Sequence, residues 1–132
     1  LIVDDDEISR YLVRQTLARS THLLFEAANG ADGLRVARET RPDVVCLDFS
    51  MPDMNGIELT RAVRAMTHHA QTPIVMVTAA DGMEVRQAAI QAGVTHFLYK
   101  PLNLVTFKAV IKNILEPPST IGWSCIRGLA GR

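Results

Sequence analysis

Cysteine is scarce in this chain, which has two among its 132 residues. Cys46 lies inside an apolar run and Cys125 lies near the end, so their spacing fits neither a zinc site nor a disulfide framework. Disulfides persist in oxidising compartments, and a chain without them is typical of a reducing one. We therefore expect a cytoplasmic protein stabilised by a hydrophobic core, for which this length is sufficient.

An excess of charge of one sign is also missing. Lysine plus arginine and aspartate plus glutamate each number 14, so the formal net charge is zero. This balance gives no support for direct binding to nucleic acid or to a membrane surface. No apolar stretch is long enough to cross a bilayer, and no signal peptide is found. Leu1 is not an initiator methionine and already belongs to a strand-like run, as expected of a fragment whose first residues are missing.

The sequence does contain a regular alternation of short apolar runs and segments with helical spacing. The runs are brief, and several are rich in β-branched or aromatic residues, which is typical of buried strands in a parallel sheet. They occupy residues 1–3, 23–25, 44–47, 74–77 and 97–99. Helical spacing covers residues 7–18, 31–40, 59–66, 85–92 and 104–114. Five βα units predict an α/β fold, a doubly wound parallel sheet with five helices on its two faces.

Turn and cap residues set the boundaries of these elements. Asn55-Gly56 is expected to open the third helix, and Gly93 to end the fourth. His68-His69 falls where the third helix should end; adjacent histidines point in different directions, so we expect solvated residues rather than a metal pair. The alternation stops after Glu116. We therefore predict one domain over residues 1–116 and a linker or tail over residues 117–132, which could lead to an output domain outside this chain.

Polar side chains follow four of the five predicted strands. An acidic run at residues 4–7 follows the first strand, Asp48 the third, Thr78 the fourth and Lys100 the fifth. Each alone is an ordinary feature, because aspartate and threonine commonly cap helices or form turns and lysine is usually solvated. The carboxyl ends of parallel strands, however, meet at one edge of the sheet, where open α/β folds bind their ligands. The joint occurrence therefore predicts a functional site.

Carboxylates gathered at one edge repel each other. Two unit charges about 4 Å apart cost roughly 4 kcal/mol at an effective dielectric constant near 20. Either one carboxylate is protonated or a cation lies among them. Mg²⁺ suits such hard oxygen ligands and takes one or two carboxylates together with phosphate oxygens. With Lys100 and the Thr78 hydroxyl, these groups could hold a phosphoryl group on a carboxylate, since aspartate can serve as a covalent acceptor.

In order and spacing, these residues resemble the motifs of bacterial two-component response regulator receiver domains, the chemotaxis regulators among them. The matching pieces are residues 1–6, 47–56, 77–79 and 99–101, and the resemblance covers residues 1 to about 116. It implies the flavodoxin-like strand order 2-1-3-4-5. It also implies a cis peptide bond before Pro101.

At matching positions the resemblance implies a phosphorylation site. Asp48 would accept a phosphoryl group from a phosphohistidine of a sensor histidine kinase or phosphotransfer protein, and Lys100 would pair with Asp48 and then with the phosphate. Asp5 and Asp48 would bind Mg²⁺, Asp4 would act mostly through water, and the backbone carbonyl of Ser50 would complete the metal site. The protein would be a signalling phosphoacceptor in a phosphorelay rather than an enzyme.

The resemblance further implies a switch. Thr78 would move to hydrogen-bond the phosphoryl group, and Phe97 would then turn inward. This movement would reshape the face made by the fourth helix, the fifth strand and the fifth helix, and so regulate an output domain or partner protein. Positions two residues after the acceptor and two after the threonine tune self-dephosphorylation in this family. Here they are Ser50 and Ala80, both small and uncharged, so we expect a moderate phosphoryl lifetime.

The motifs described above specify neither the kinase partner nor the oligomeric state. Arg10, Arg14 and Gln15 near the first helix are candidates for contact with the kinase. DNA-binding regulators that dimerise through the last face usually carry acidic residues where this chain has Thr95 and His96, which argues against that mode of dimerisation.

Two other functions fit part of the pattern. Asp4-x-Asp6 after a first strand is similar to the nucleophile motif of haloacid-dehalogenase-type phosphatases, but Ile8 stands where that motif has threonine or valine, and the acidic pair expected after the fourth strand is replaced by Thr78 and its neighbours. A pseudo-receiver that binds partners without taking a phosphoryl group is the second alternative.

Overall fold

The structure, a computed structural model, describes residues 1–79 and 82–116. Its strands are β1 (Ile2–Val3), β2 (Glu26–Ala27), β3 (Val45–Asp48), β4 (Ile74–Thr78) and β5 (His96–Tyr99). Its helices are α1 (Glu7–Leu17), α2 (Gly30–Thr40), α3 (Gly56–Arg64), α4 (Met83–Ala92) and α5 (Leu104–Leu115), with a short 3-10 helix at Thr67–His69. The strands form one parallel sheet in the order β2-β1-β3-β4-β5. The predicted flavodoxin-like fold is thereby confirmed.

Alternate residues of the central strands pack into two separate hydrophobic clusters. On β4, Ile74 and Met76 contribute to one cluster and Val75 and Val77 to the other. The first cluster also contains Ala37, Leu59, Val63 and Ala89 from helices α2, α3 and α4, whereas the second contains Val13, Phe107 and Ile111 from α1 and α5. Helices therefore cover both faces of the sheet, as the continuous apolar runs predicted.

The second strand lies later in the chain than predicted. Residues 23–25 were expected to form it, but the ladder with β1 pairs Ile2 with Glu26 and Val3 with Ala27. Leu23 is 79% exposed. The apolar run was misleading because β2 is an edge strand, and Glu26 in it interacts with arginines of α1 rather than with the core.

The helix boundaries follow local capping chemistry. Asn55 caps α3 in a capping box with Glu58, each side chain accepting a hydrogen bond from the other residue's backbone N–H. Gly93 ends α4 with φ of 119°, a left-handed conformation that glycine adopts without steric cost. Both boundaries agree with the sequence prediction, although α3 ends at Arg64, before the end of its apolar spacing. None of the helices within residues 1–79 and 82–116 has the length and apolar character needed to cross a membrane.

His69 corrects a second expectation, because it is buried with an exposed fraction of 1% while His68 is exposed. Its Nε2 lies 2.8 Å from the carbonyl oxygen of Ala37, and its Nδ1 lies 2.7 Å from the hydroxyl oxygen of Thr72. Since a carbonyl can only accept, Nε2 carries the proton. The histidine thus links α2 to the segment before β4. Because Ala37 is far from His69 in the sequence, local sequence patterns do not predict this contact.

Arg41, directly after α2, is the non-glycine residue with positive φ in the described chain, at 49°. Such a left-handed conformation costs an L-residue roughly 1–2 kcal/mol. Replacing Arg41 by glycine removes this strain but makes the unfolded chain more flexible. We expect Arg41→Gly to raise the free energy of unfolding by about 0.5–1 kcal/mol in urea titrations.

Arg38→Gly is the matched control, because Arg38 is exposed within the last turn of the same helix. This substitution should lower stability by about 1 kcal/mol. Equal destabilisation by the two substitutions would contradict the prediction.

Candidate functional site

The turn between β1 and α1 presents three consecutive carboxylates in different environments. Asp4 is buried, and its Oδ1 accepts a hydrogen bond of 2.9 Å from the backbone N–H of Asp6. Asp6 is the N-cap of α1 and accepts from the backbone N–H of Ile8 at 3.1 Å. Asp5 is exposed. The start of the helix therefore uses Asp6, while Asp4 and Asp5 stand at the carboxyl edge of the sheet.

Asp48 is the last residue of β3 and is 4% exposed. The next residue, Phe49, donates its backbone N–H to the carbonyl of Val77 at 3.0 Å and accepts from the backbone N–H of Gly56 at 2.7 Å. A Cβ atom on Gly56 would lie 3.0 Å from the carbonyl oxygen of Asp48, so this close return of the chain favours glycine. The loop after β3 is thereby held next to Asp48, and Ser50, the predicted carbonyl ligand, is exposed within it.

Asp4, Asp5 and Asp48 form an acidic cluster, in which one carboxylate oxygen from each residue lies within 4.8 Å of the others. Burial raises the pKa of Asp4 above its usual value; the hydrogen bond from Asp6 opposes this shift, and the negative charge of Asp48 adds to it. Hard oxygen donors at this spacing fit Mg²⁺, whose charge would offset the repulsion. The side chains that the strand-end pattern placed at one edge are thus close enough to share one cation.

Lys100 supplies a positive charge to this cluster. Its Nζ lies 3.1 Å from Oδ1 of Asp48. Burial lowers the pKa of Lys100, but the hydrogen bond and charge of Asp48, together with the charges of Asp4 and Asp5, outweigh burial, so the net shift is upward. The ammonium group therefore stays charged beside Asp48. The following peptide bond, Lys100–Pro101, is cis, as the resemblance implied.

The two predicted switch residues lie on neighbouring strands. Thr78 is the buried last residue of β4, and Phe97 is a half-buried residue of β5 that packs against the core. The guanidinium group of Arg86 on α4 lies over the Phe97 ring, with Cζ 4.8 Å from the ring centroid, and also donates a hydrogen bond to the Tyr99 hydroxyl. Ala80, the second predicted tuning residue, and the tail at residues 117–132 fall outside the described residues.

A cavity of about 380 Å³ opens beside the pair of Asp48 and Lys100. Its wall includes apolar side chains from α1 and α5, among them Ile8, Leu12 and Leu104. Ile8 and Leu12 are also exposed. Apolar surface is therefore available to a partner next to the acidic cluster.

Three residues near the site have contacts that sequence reasoning missed. Asp53 accepts hydrogen bonds of 2.9 Å from the backbone N–H groups of Gly30 and Ala31, and so ties the loop after β3 to the start of α2. Arg86 contacts β5 as described, and Arg10, considered only for kinase contact, donates to the backbone of Asp4. The groups that these three side chains contact lie on other elements or turns. Residue type and spacing along the sequence therefore do not predict these contacts.

Comparison with known proteins agrees with this fold and site. A family model described as the response regulator receiver domain matches residues 1–112. PilH of Pseudomonas aeruginosa is 32% identical over 115 residues, which cover 87% of this chain and 95% of PilH. Transcriptional regulatory protein PrrA of Mycobacterium leprae is 35% identical over 116 residues, or 88% of this chain and 49% of PrrA. Chemotaxis protein CheY4 of Vibrio cholerae matches in structure with a TM-score of 0.81 and 34% identity, covering 86% of this chain and 94% of that chain.

The chain therefore belongs to the response regulator receiver domain family. It is similar to receiver domains of bacterial two-component systems, which are signalling phosphoacceptors supplied by kinases and which typically use Mg²⁺. The chain spans about half the length of PrrA but nearly the whole of PilH.

Replacing Asp4 by asparagine is expected to stabilise the domain in chelator at neutral pH. The amide keeps an oxygen that can accept from Asp6, but it removes one charge from the acidic cluster. The gain should be up to about 1 kcal/mol, the size of one charge interaction at a partly solvated site. Thermal unfolding in chelator and in Mg²⁺ measures it, and Mg²⁺ should stabilise the variant less than the wild type.

The difference in stability between Asp4→Asn and the wild type in chelator should depend on pH. Because the pKa of Asp4 is raised in the folded protein, the stabilisation from its protonated form is present below the ordinary aspartate pKa and is lost as pH rises through the folded-state pKa. The advantage of Asp4→Asn should thus appear as pH rises and vanish in acid. Asp43→Asn, at an exposed aspartate before β3, is the control. A lower melting temperature for Asp4→Asn than for wild type in chelator would contradict the prediction.

Proposed function

We propose that Asp48 is the phosphoacceptor of this receiver domain and that the reaction depends on Mg²⁺. The observation that supports this most directly is a buried carboxylate with Lys100 Nζ at 3.1 Å, inside a cluster of three carboxylates at the carboxyl edge of the sheet. Aspartate can accept a group covalently when nearby positive charge offsets the charge of the transferring oxygens. Asp48 has both a fixed position and such a charge beside it.

In the proposed reaction, a carboxylate oxygen of Asp48 attacks the phosphorus of a phosphohistidine on a sensor histidine kinase or phosphotransfer protein. The bond from phosphorus to the imidazole nitrogen breaks, and the nitrogen keeps the electron pair. Lys100 moves its contact from the carboxylate to a phosphoryl oxygen. Bound Mg²⁺ would neutralise charge on the transferring group. Asp5, Asp48 and the carbonyl of Ser50 would hold the ion, with Asp4 acting through water.

Phosphorylation would then act through Thr78 and Phe97. The Thr78 hydroxyl would hydrogen-bond the phosphoryl group, and Phe97 would turn inward and alter the face made by α4, β5 and α5. That face would regulate an output domain or a partner protein. Ser50 and Ala80 would give the phosphoryl group a moderate lifetime, because neither side chain has a charge to orient an attacking water.

The domain itself would be a cytoplasmic signalling phosphoacceptor, with no enzymatic activity beyond its own phosphorylation and dephosphorylation and no direct contact with nucleic acid or membrane. Residues 1–116 would form the receiver, and residues 117–132 a linker or tail. PrrA, named as a transcriptional regulator, and PilH, which this chain nearly spans, illustrate receivers with and without a large additional region. An attached output domain and a separate partner protein are both consistent with this proposal.

Intact mass after incubation with acetyl phosphate tests the acceptor. We expect one phosphoryl adduct on the wild type with Mg²⁺, and none in chelator or on Asp48→Asn. Asp43→Asn, an exposed aspartate before the same strand, should be labelled like the wild type. Labelling of Asp48→Asn would refute the assignment, and a folded wild type without adduct would favour a pseudo-receiver.

Arg86 is expected to oppose the switch by stabilising the unswitched position of Phe97. Its guanidinium over the Phe97 ring stabilises the ring position seen here, an interaction worth about 0.5–1 kcal/mol at a partly exposed site. Turning of Phe97 would break this contact. Because switching and phosphorylation are thermodynamically linked, Arg86→Met should raise the ratio of phosphorylated to unphosphorylated protein, measured by intact mass at equilibrium with acetyl phosphate and acetate, roughly two- to fivefold.

The comparison variant for this experiment is Arg61→Met, which removes an exposed arginine from α3. It should leave the ratio of phosphorylated to unphosphorylated protein unchanged. A lower or unaltered ratio for Arg86→Met would show that Arg86 does not restrain Phe97.

A further inference from the structure

Arg10 on α1 makes a contact with the backbone that carries the acidic pair of the β1–α1 turn. Its Nη1 donates a hydrogen bond of 2.6 Å to the carbonyl oxygen of Asp4. The arginine side chain is only 16% exposed, so most of it is packed within the domain. A charged donor on a carbonyl makes a stronger hydrogen bond than a neutral one. Arg10 thus hydrogen-bonds to the peptide unit that joins Asp4 to Asp5.

Glu26 on β2 forms an ion pair with this arginine. One of its carboxylate oxygens, Oε1, lies 3.6 Å from Nε of Arg10. The same carboxylate accepts two hydrogen bonds from Arg14, at 2.7 and 2.9 Å. Glu26 is itself fixed by the ladder, in which it pairs with Ile2 of β1. The guanidinium group of Arg10 is therefore held between the edge strand and the turn.

The carbonyl of Asp4 belongs to the peptide unit that leads directly to Asp5. The other polar groups of Asp4 are also engaged, because its N–H donates to the carbonyl of Ala27 and its carboxylate accepts from Asp6. Asp5, in contrast, is exposed, and the charges of Asp4 and Asp48 repel it. Without a restraint on the preceding peptide, this repulsion favours movement of Asp5 away from the cluster.

We propose that Arg10 is a positioning residue for the metal site: through the carbonyl of Asp4 it holds the β1–α1 turn so that the Asp4 and Asp5 carboxylates face Asp48 before Mg²⁺ arrives. This inference rests on the Mg²⁺ site of the proposed function and adds a residue that does not touch the ion. Groups that orient metal ligands in this way typically change metal affinity by about 10- to 100-fold.

Charge and geometry predict opposite effects for the loss of Arg10. As a positive charge, Arg10 repels a cation, so its removal alone would tighten Mg²⁺ binding. As a restraint on the turn, its removal loosens the acidic pair and weakens binding. The sign of the change in affinity therefore separates the two roles.

The experiment measures the dissociation constant of Mg²⁺ by calorimetry for the wild type, Arg10→Met and Arg14→Met. Both variants lose one arginine beside Glu26, but Arg14 contacts Glu26 without reaching Asp4. We expect Arg10→Met to bind Mg²⁺ roughly tenfold more weakly. Arg14→Met should bind as the wild type does, or more tightly through the loss of charge.

A second measurement needs no metal. In chelator, the backbone amide of Asp6, which donates to Asp4, should exchange its hydrogen faster in Arg10→Met than in Arg14→Met. Should Arg10→Met fail to fold, Glu26→Gln removes the carboxylate charge beside Arg10. The Asp6 amide of Glu26→Gln should then also exchange faster in chelator than the Asp6 amide of Arg14→Met.

Unchanged or tighter Mg²⁺ binding by folded Arg10→Met would overturn this inference and leave the proposed function standing. Equal weakening in Arg10→Met and Arg14→Met would also overturn it, because it would assign the effect to Glu26 and not to the carbonyl of Asp4. A wild type that binds no Mg²⁺ would overturn the proposed metal site, and this inference with it.

Discussion

Repulsion among the carboxylates of Asp4, Asp5 and Asp48 is the constraint on which the rest of this site depends. The three groups approach within 4.8 Å, and two of them are buried, so water screens their charges poorly. Lys100 offsets part of this charge through Asp48. The remaining negative charge would favour binding of a divalent cation, and in the proposed function that cation would offset the negative charge of the phosphoryl oxygens. The proposed function thus depends on an electrostatically unfavourable arrangement of carboxylates that the fold must hold in place.

The sheet supplies the necessary rigidity. Residues of β3 and β4 are buried on both faces, and their side chains alternate between two hydrophobic clusters. Such strands cannot shift by one residue without exchanging their contacts with both layers of helices. The position of the last residue of each of these strands is consequently fixed. Asp48 is the last residue of β3 and Thr78 is the last residue of β4.

Around the rigid sheet, charged side chains hold the connecting segments. Asp53 fixes the loop after β3 to α2, Arg10 holds the turn before α1, and Arg86 bridges α4 to β5. Two of these contacts act on the segments that carry the proposed metal ligands. The third acts on the face proposed to change with phosphorylation. The two segments that carry the proposed metal ligands are therefore attached to neighbouring helices. The contact between Arg86 and Phe97, in contrast, can be broken by rotation of the Phe97 ring.

The sequence by itself determined the class of fold and the composition of the site. Local periodicity distinguishes buried strands from helices, and parallel strands necessarily bring the residues after them to one edge, so Asp4, Asp48, Thr78 and Lys100 could be grouped without coordinates. The family resemblance added the strand order. Only the tertiary structure placed β2 at Glu26–Ala27, buried His69 against Ala37, and set Arg10, Asp53 and Arg86 on their partners. These outcomes depend on the distances and side-chain directions between separate elements, which the spacing of residues along one element does not encode.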